Sequence, residues 1–133
     1  MGIKQDRFVT GSEAFKLAMQ AANEVSDLCN RRVSDQSNYS IIYAKEDDLP
    51  IGCVTFFLYD ELCFMPLAYV VEGYRKHGIF KAIFSHLKEY CRKNGVKNIV
   101  WSCRVSNASA NAAYSAMGFE PTHCGYFVPV EEP

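Results

Sequence analysis

The stretch VVEGYRKHGIFKAIFSHLKEYC, residues 70–91, decides the fold of this chain. An apolar run ends at Glu72 and Gly73, and three side chains that are or can become positively charged follow it. A glycine then opens a segment in which apolar residues recur every three or four positions, the pattern of a helix with one buried face. The stretch therefore predicts a buried strand, a basic turn and a long helix in direct succession.

The basic turn, residues 75–78, has the chemistry of an anion site. The start of a helix presents unpaired N–H groups and a partial positive charge, and both favour phosphate. Gly78 removes a side chain where a ligand would approach, and Arg75 and Lys76 add positive charge beside it. A plain turn with solvated charges is the alternative, and this short motif does not by itself decide between the two.

Three strands are predicted before this stretch, over residues 39–45, 51–59 and 62–71. Short turns at residues 46–50 and 60–61 separate them. Because the connections are so short, we expect the three strands to form an antiparallel meander.

The remaining elements complete a single domain over residues 1–133. The pattern predicts an amphipathic helix over about residues 12–30, a strand over 98–105, a helix over 107–117 that Gly118 ends, and a last strand over 119–130. Since a strand, a long helix and a strand follow one another, we expect a parallel strand pair joined by a crossover. The predicted fold class is α+β, with a central mixed β-sheet flanked by helices on both faces.

Composition excludes several classes of protein. The chain has 133 residues, of which 49% are hydrophobic and 22% charged, as is typical of a globular domain with one core. Its formal net charge is −1, so no basic excess indicates binding to nucleic acid or to an anionic membrane. No apolar run approaches the ~20 residues of a membrane span, and the N-terminus lacks the apolar core of a secretion signal.

Six cysteines occur without a Cys-x-x-Cys pair, and several of them stand inside apolar runs. That pattern predicts buried free thiols in a reducing cytoplasm, with no structural disulfide. Only His123 and Cys124 are close enough in sequence to suggest a metal site, and neighbours on a strand point to opposite sides. We therefore expect no bound metal.

A second motif lies one helix and one strand after the basic turn. Residues 107–119, NASANAAYSAMGF, resemble the N-x-x-A-x-x-x-Y-x-x-x-G-F pattern of the GNAT superfamily, the acyl-CoA-dependent N-acyltransferases. The turn itself resembles that family's R/Q-x-x-G-x-G/A loop, with Arg75 and Gly78 in place. The order of elements is also similar, and the resemblance covers about residues 41–128. Two motifs at the correct mutual spacing are far more specific than either one.

The resemblance implies a GNAT-like fold and transfer of an acetyl group from acetyl-CoA to a primary amine, by direct attack in a ternary complex. Two features depart from the family pattern. Phe80 stands where the family has a second small residue, and the family's first strand and second helix are barely visible before Tyr39. Since that region builds much of the acceptor site, the acceptor would be held by an open surface or by a partner subunit, as in a homodimer.

The resemblance assigns the acetyl-CoA contacts to three parts of the chain. The residues concerned are Tyr69, Val70, Val71, Arg75, Lys76, His77, Gly78, Ile79, Phe80, Lys81, Asn107 and Tyr114. The pantetheine arm would lie between the strand that ends at Val71 and the strand over residues 98–105. A backbone N–H near Val70 or Val71 would polarise the thioester carbonyl. The diphosphate would rest on the N–H groups of residues 77–81.

Tyr114 is the residue that the resemblance implies as the acid for the departing thiolate. An aromatic core residue on an alanine-rich helix is the alternative interpretation of the same position. Asn107 would fix the cofactor through its side-chain amide, and it could equally serve as the N-cap of its helix.

The amine must lose a proton before it attacks, which calls for a base or a water chain. Glu72, at the end of the strand beside the thioester, is our first choice of base. Asp60, Glu61 and Tyr43 are further candidates, although the two acids also fit a solvated turn. An acyl-enzyme on Cys63 is not expected, because that cysteine lies in an apolar strand with no histidine assigned near it.

Two other classes of function stay open. A degenerate GNAT domain could bind acyl-CoA or a protein partner without catalysis, and Phe80 is the main support for it. A pure interaction domain without a cofactor is the second class, and the paired motifs argue against it. The acceptor is not readable from the sequence, so that a small amine, an antibiotic, a lysine and a protein N-terminus all remain.

Overall fold

The computed structural model describes residues 1–7, 16–17, 39–101, 108–119, 121–122 and 125–131. Within these ranges lie seven strands, β1 (Gly2–Arg7), β2 (Ser40–Glu46), β3 (Leu49–Tyr59), β4 (Leu62–Val70), β5 (Asn98–Trp101), β6 (Pro121–Thr122) and β7 (Gly125–Pro129). The same ranges contain two helices, α1 (Ile79–Lys93) and α2 (Ala108–Ala116), and residues 16–17 are also helical.

The strands form one mixed sheet in the order β1-β2-β3-β4-β5-β7-β6. Strands β1 to β4 are antiparallel neighbours, β4 and β5 run parallel, and β5, β7 and β6 are antiparallel again. The predicted meander and the predicted crossover through α1 are both confirmed. The predicted strand over residues 98–105 is described as far as Trp101, and its remainder lies outside the described residues.

Two tight turns set the register of the meander. Asp47 and Asp60 each take the first position of a two-residue loop and have positive φ angles of 54° and 57°. Two-residue hairpin loops require such angles, and aspartate tolerates them better than most residues do. The turns predicted at residues 46–50 and 60–61 are therefore confirmed.

The core lies on both faces of the sheet, because successive strand residues point to opposite sides. Ile42 belongs to the larger cluster, against which α1 packs, whereas its neighbour Ile41 belongs to a smaller cluster on the other face. The residues that α1 buries are Ile79, Ile83, Phe84, Leu87 and Cys91. Leu17 is helical and contributes to the smaller cluster, so helical residues contact both faces. The rest of the helix predicted over residues 12–30 lies outside the described residues.

Two strand predictions differ from the structure. Residues 2–7 were not predicted as a strand, because GIKQDR has no apolar alternation, yet they pair with β2 at the edge of the sheet. Only Ile3 of this strand packs against the larger cluster. The single last strand predicted over residues 119–130 is wrong, since the chain forms the antiparallel pair β6 and β7. Backbone pairing with β2 makes the polar segment of residues 2–7 a strand.

Gly52 is the point of closest approach between β3 and the start of α1. A Cβ atom built there would lie 3.1 Å from Ile79 Cγ2, 3.2 Å from the Tyr69 carbonyl oxygen and 3.3 Å from Ile83 Cδ1. A side chain would meet the backbone of β4 and the first turns of α1 together. Glycine therefore lets the helix sit close to the sheet and fixes where its N-terminus points.

We expect Gly52→Val to lower the free energy of unfolding by about 1–3 kcal/mol, the usual cost of overpacking a core. Urea unfolding followed by circular dichroism measures the loss. Gly2→Val is the matched control, because a Cβ at Gly2 meets no atom within 4 Å and its effect should stay within about 0.5 kcal/mol. Equal stability of the two variants would contradict the close packing inferred at Gly52.

Candidate active site

The parallel ladder between β4 and β5 is described only beside the first residues of β4. Their parallel ladder joins Leu62, Cys63 and Phe64 to residues 98–100, and no described residue of β5 pairs with β4 beyond Phe64. Strand β4 nevertheless continues to Val70. We call the space beside residues 65–70 of β4, on the side of β5, the gap.

A bulge in β4 lies at the closed end of the gap. Thr55 pairs with Leu67 and Phe57 with Phe64, so that Met65 and Pro66 stand opposite Phe56 alone. Two residues against one define a β-bulge, which bends the strand and increases its twist. Proline fits this position because it has no N–H to donate to a ladder. The bulge therefore bends β4 directly after the last described pair of its ladder with β5.

The backbone at the open end of the gap has a defined direction. The Val71 N–H donates to the Ile51 carbonyl at 2.9 Å, so it faces β3. Along an antiparallel strand the polar groups alternate in direction, and those of Val70 therefore face the gap. Of the two N–H groups predicted as candidates to polarise a thioester, only that of Val70 points into the gap.

The turn between β4 and α1 is built from residues with left-handed backbone. The Tyr74 N–H closes a β-turn onto the Val71 carbonyl at 3.0 Å, with Gly73 at φ 94°. Gly78 has φ 79°, and Lys76 has φ 67° although it is not a glycine. Only glycine adopts such positive angles without an energetic cost. This geometry is the reason the turn contains two glycines.

Gly78 also shapes the start of α1. Its left-handed conformation is followed by helical Ile79, and such a pair brings successive N–H groups into one concavity. No side chain caps the helix, and its first turn holds no acidic residue. The first helical bond runs from Ala82 to Gly78, which leaves the N–H groups of residues 79–81 without a helical partner. A Cβ at Gly78 would meet no atom within 4 Å, so the space beside this residue is open. We call the N–H groups of residues 78–81 the anion cradle.

The basic residues around the anion cradle differ in how they are held. Lys76, His77 and Lys81 are exposed. Arg75 is exposed as well, but its Nε donates to the Val70 carbonyl at 2.8 Å. Its guanidinium carbon also lies 5.6 Å from the centre of the buried Tyr69 ring, within cation–π range.

An aromatic cluster joins α2 to the first turns of α1 and to the end of β5. Tyr114 is half-buried, with its ring centre 4.9 Å from Trp101 and 6.1 Å from Phe80. Phe84 and Phe119 complete the cluster. The fold thus brings Tyr114 next to the anion cradle although 35 residues separate it from Ile79 in sequence. The bulk of Phe80 is accommodated by packing against Phe84 and Tyr114.

The structure separates the candidate bases. Glu72 is exposed in the turn directly after β4. Asp60 and Glu61 lie at the opposite end of β4, roughly 30 Å away at ~3.3 Å per strand residue. Glu61 is also paired with Lys97, with 3.5 Å between the carboxylate oxygen and Nζ. These two acids therefore belong to the hairpin and not to the open end of the gap.

Tyr43 is also unsuited to act as a base. Its hydroxyl donates to Asp6 Oδ2 at 3.1 Å, on the β1 and β2 strands. Partial burial and then the neighbouring Asp6 carboxylate raise the pKa of Tyr43 above its ordinary value near 10. The phenol consequently keeps its proton at neutral pH.

The three cysteines among the described residues have buried thiols. Cys53, Cys63 and Cys91 are free cysteines in the core. Burial raises the pKa of Cys53 to about 12. The hydrogen bond between the Cys63 and Cys91 thiols, together with burial, raises the pKa of Cys63. A protonated buried thiol is a poor nucleophile, in agreement with the expectation against an acyl-enzyme on Cys63.

One predicted site residue was not located, and two features that position the site were not predicted. Asn107 lies outside the described residues, so its assigned role is untested. Gly52 and the Met65–Pro66 bulge position the site and were missed, although a glycine and a proline inside apolar runs were visible signals of them.

Neither a metal site nor a membrane span is found in the described part of the chain. No three His, Cys, Asp or Glu residues there stand close enough together to hold an ion. No helix described there combines the length and the apolar character that crossing a bilayer requires.

Similar folds occur in known acetyltransferases. The ribosomal-protein-S18-alanine N-acetyltransferase from Escherichia coli is 17% identical, with a TM-score of 0.71 over 99% of this chain and 96% of that one. The N-acetylglutamate synthase from Neisseria gonorrhoeae, complexed with coenzyme A and N-acetyl-glutamate, is 10% identical, with a TM-score of 0.74 over 99% and 36%. An aminoglycoside N-acetyltransferase in complex with CoA is 15% identical, with a TM-score of 0.71 over 92% and 93%. At these identities the similarity shows the fold.

The sequence itself identifies the family. A search of curated protein sequences gives no significant match. Residues 9–119, however, match the acetyltransferase (GNAT) family. That match covers both motifs and most of the chain, and the chain therefore belongs to the GNAT family of acetyltransferases.

Proposed function

We propose that this protein transfers an acetyl group from acetyl-CoA to a primary amine, by direct attack within a ternary complex. The observation that carries the proposal is that β4, whose edge borders the gap, leads through one short turn into the anion cradle at the uncapped start of α1. A long thioester with a diphosphate needs both features side by side. Membership of the GNAT family supports acyl transfer in general.

In this proposal the donor is held by backbone groups more than by side chains. The anion cradle takes the diphosphate, with Lys76, His77 and Lys81 supplying positive charge around it. The pantetheine arm lies in the gap beside the edge of β4, from Tyr69 to Val71. Asn107 contributes an amide to the same donor.

Three groups divide the chemistry. The Val70 N–H faces the gap and would stabilise negative charge that develops on the thioester oxygen. Tyr114 would give a proton to the sulfur as it leaves. Glu72, as the acidic candidate at the open end of β4, would accept the proton of the incoming amine, directly or through water.

A domain that binds acyl-CoA or a protein partner without catalysis is the second candidate. It is favoured by the bulky Phe80 beside the anion cradle and by the placement of Asp60 and Glu61 far from the gap. The two functions differ in turnover but not in donor binding.

Calorimetry with CoA and acetyl-CoA tests donor binding, and mass spectrometry of acceptors tests transfer. The acceptor panel should include an alanine-terminated peptide, an aminoglycoside, glutamate, a lysine peptide and a small diamine, which cover the groups named for the similar structures. CoA release can be followed with a thiol reagent, provided that an enzyme-only blank corrects for the native cysteines. Binding without transfer would favour the second candidate, and absence of CoA binding would overturn both.

The proposal also places the protein in the cytoplasm, where thiols stay reduced. Free Cys53, Cys63 and Cys91 support this location. Partners other than the two substrates are not part of the proposal, except a second copy of the chain if the acceptor site is shared across a homodimer. Light scattering at several protein concentrations would detect such a dimer.

A further inference from the structure

We propose that Arg75 is a positioning residue that holds the backbone at the end of β4 that leads into α1. In this role it fixes the peptide group between Val70 and Val71, instead of acting only as a positive charge beside the diphosphate. The inference rests on the proposed function for its catalytic meaning, but the contact itself can be tested without a donor.

The first argument is the position of the Val70 carbonyl. It faces the gap and points away from β3, because the Val71 N–H of the same peptide group donates to Ile51 of β3. Here the Arg75 Nε donates to it at 2.8 Å, a short and charge-assisted bond.

The second argument is that the same peptide group is held on both sides. Its carbonyl belongs to Val70 and accepts from Arg75, whereas its N–H belongs to Val71 and donates to Ile51 at 2.9 Å. A peptide group is planar, so two opposed bonds fix its rotation. The neighbouring Val70 N–H, our candidate for the thioester oxygen, gains a defined direction from this arrangement.

The third argument is the anchorage of the arginine itself. Its guanidinium lies over the Tyr69 ring, with 5.6 Å between the guanidinium carbon and the ring centre. That ring is only 4% exposed and is packed in the smaller core cluster. A planar guanidinium can stack on a ring and donate from Nε at the same time, and a lysine ammonium cannot.

The first test uses Arg75→Lys in the protein without any donor. Amide hydrogen exchange measured by NMR should show faster exchange at Val71, by about tenfold if a bond worth roughly 1.5 kcal/mol is lost. The amide of Val54, in the core of β3, is the internal control and should keep its rate. Unchanged exchange at Val71 would overturn the inference, whether or not the enzyme is active.

The second test compares two donors. Acetyl-CoA carries the diphosphate, whereas S-acetylpantetheine lacks it. We expect Arg75→Lys to lower kcat/KM by a similar factor, about 10- to 100-fold, with both donors. Lys76→Gln is the comparison for a residue that contributes only charge. Its kcat/KM should fall with acetyl-CoA and stay unchanged with S-acetylpantetheine. The inference fails if Arg75→Lys is harmless while Arg75→Gln loses activity with acetyl-CoA alone.

The two tests separate the two proposals. Faster exchange at Val71 together with no CoA binding by the wild type would retain the positioning role and overturn the proposed function. Normal donor binding and turnover in the wild type, with unchanged exchange at Val71 in Arg75→Lys, would retain the proposed function and overturn the positioning role.

Discussion

Replacing Tyr114 with phenylalanine is expected to lower turnover by about 10²–10⁴-fold, the usual contribution of a general acid. The ring and its packing against Phe80 and Trp101 remain in this variant, and only the hydroxyl is lost. Acetyl-CoA affinity should therefore stay almost unchanged. A loss confined to turnover indicates an interaction made in the transition state. Steady-state kinetics and calorimetry measure the two quantities separately.

Tyr90→Phe is the matched control for this experiment. Tyr90 is also half-buried and aromatic-packed, with its ring 5.6 Å from Phe56, but it lies on α1 away from the anion cradle. It should keep full turnover. If single-turnover chemistry is unchanged in Tyr114→Phe, the tyrosine is a core residue. A large fall in melting temperature with loss of CoA binding would make its hydroxyl structural.

Gly78→Val should weaken acetyl-CoA binding by about 10- to 100-fold, because two methyl groups would enter the space beside the anion cradle. The substitution also strains the backbone, since Gly78 has φ 79° and branched residues rarely adopt that angle. Titration calorimetry with CoA measures the affinity, and thermal melting records the strain.

Gly95→Val separates these two effects. Gly95 has φ 72°, and like Gly78 it has no atom within 4 Å of a built Cβ, but it lies after the far end of α1. The control should lose similar stability and keep its affinity for CoA. Equal affinity in Gly78→Val and the wild type would remove the turn from the donor site.

The sequence predicted the central part of the fold because its signals there are local. Apolar residues recur with a helical period over residues 79–93. Glycines at positions 73 and 78 favour a turn, and both have positive φ. The element types from β2 to β5 follow from the same local patterns. An edge strand such as β1 has no such signal, because one hydrogen-bonded side and few buried side chains suffice to make it a strand.

The candidate site was predictable as a motif but not as a geometry. Both Val70 and Val71 were candidates to polarise a thioester, and only strand pairing shows that Val71 faces β3. Four residues were candidates for the base. Asp60 and Glu61 are excluded because they lie at the opposite end of β4 from the thioester position. Sequence spacing does not give either answer, since both depend on which strands are neighbours and in which register.

Under the proposed function, the uncapped start of α1 would link the abundance of this protein to the supply of its donor. Most helices complete their first turn with a side chain of their own, but here the N–H groups of residues 79–81 are left to an external anion. Bound acetyl-CoA would then act as the missing cap, and by mass action a concentration 100 times Kd adds about 2.7 kcal/mol of stability. When the acetyl-CoA pool falls, more of the protein would unfold and be degraded. Under the proposed function, the amount of folded protein would thus follow the concentration of acetyl-CoA.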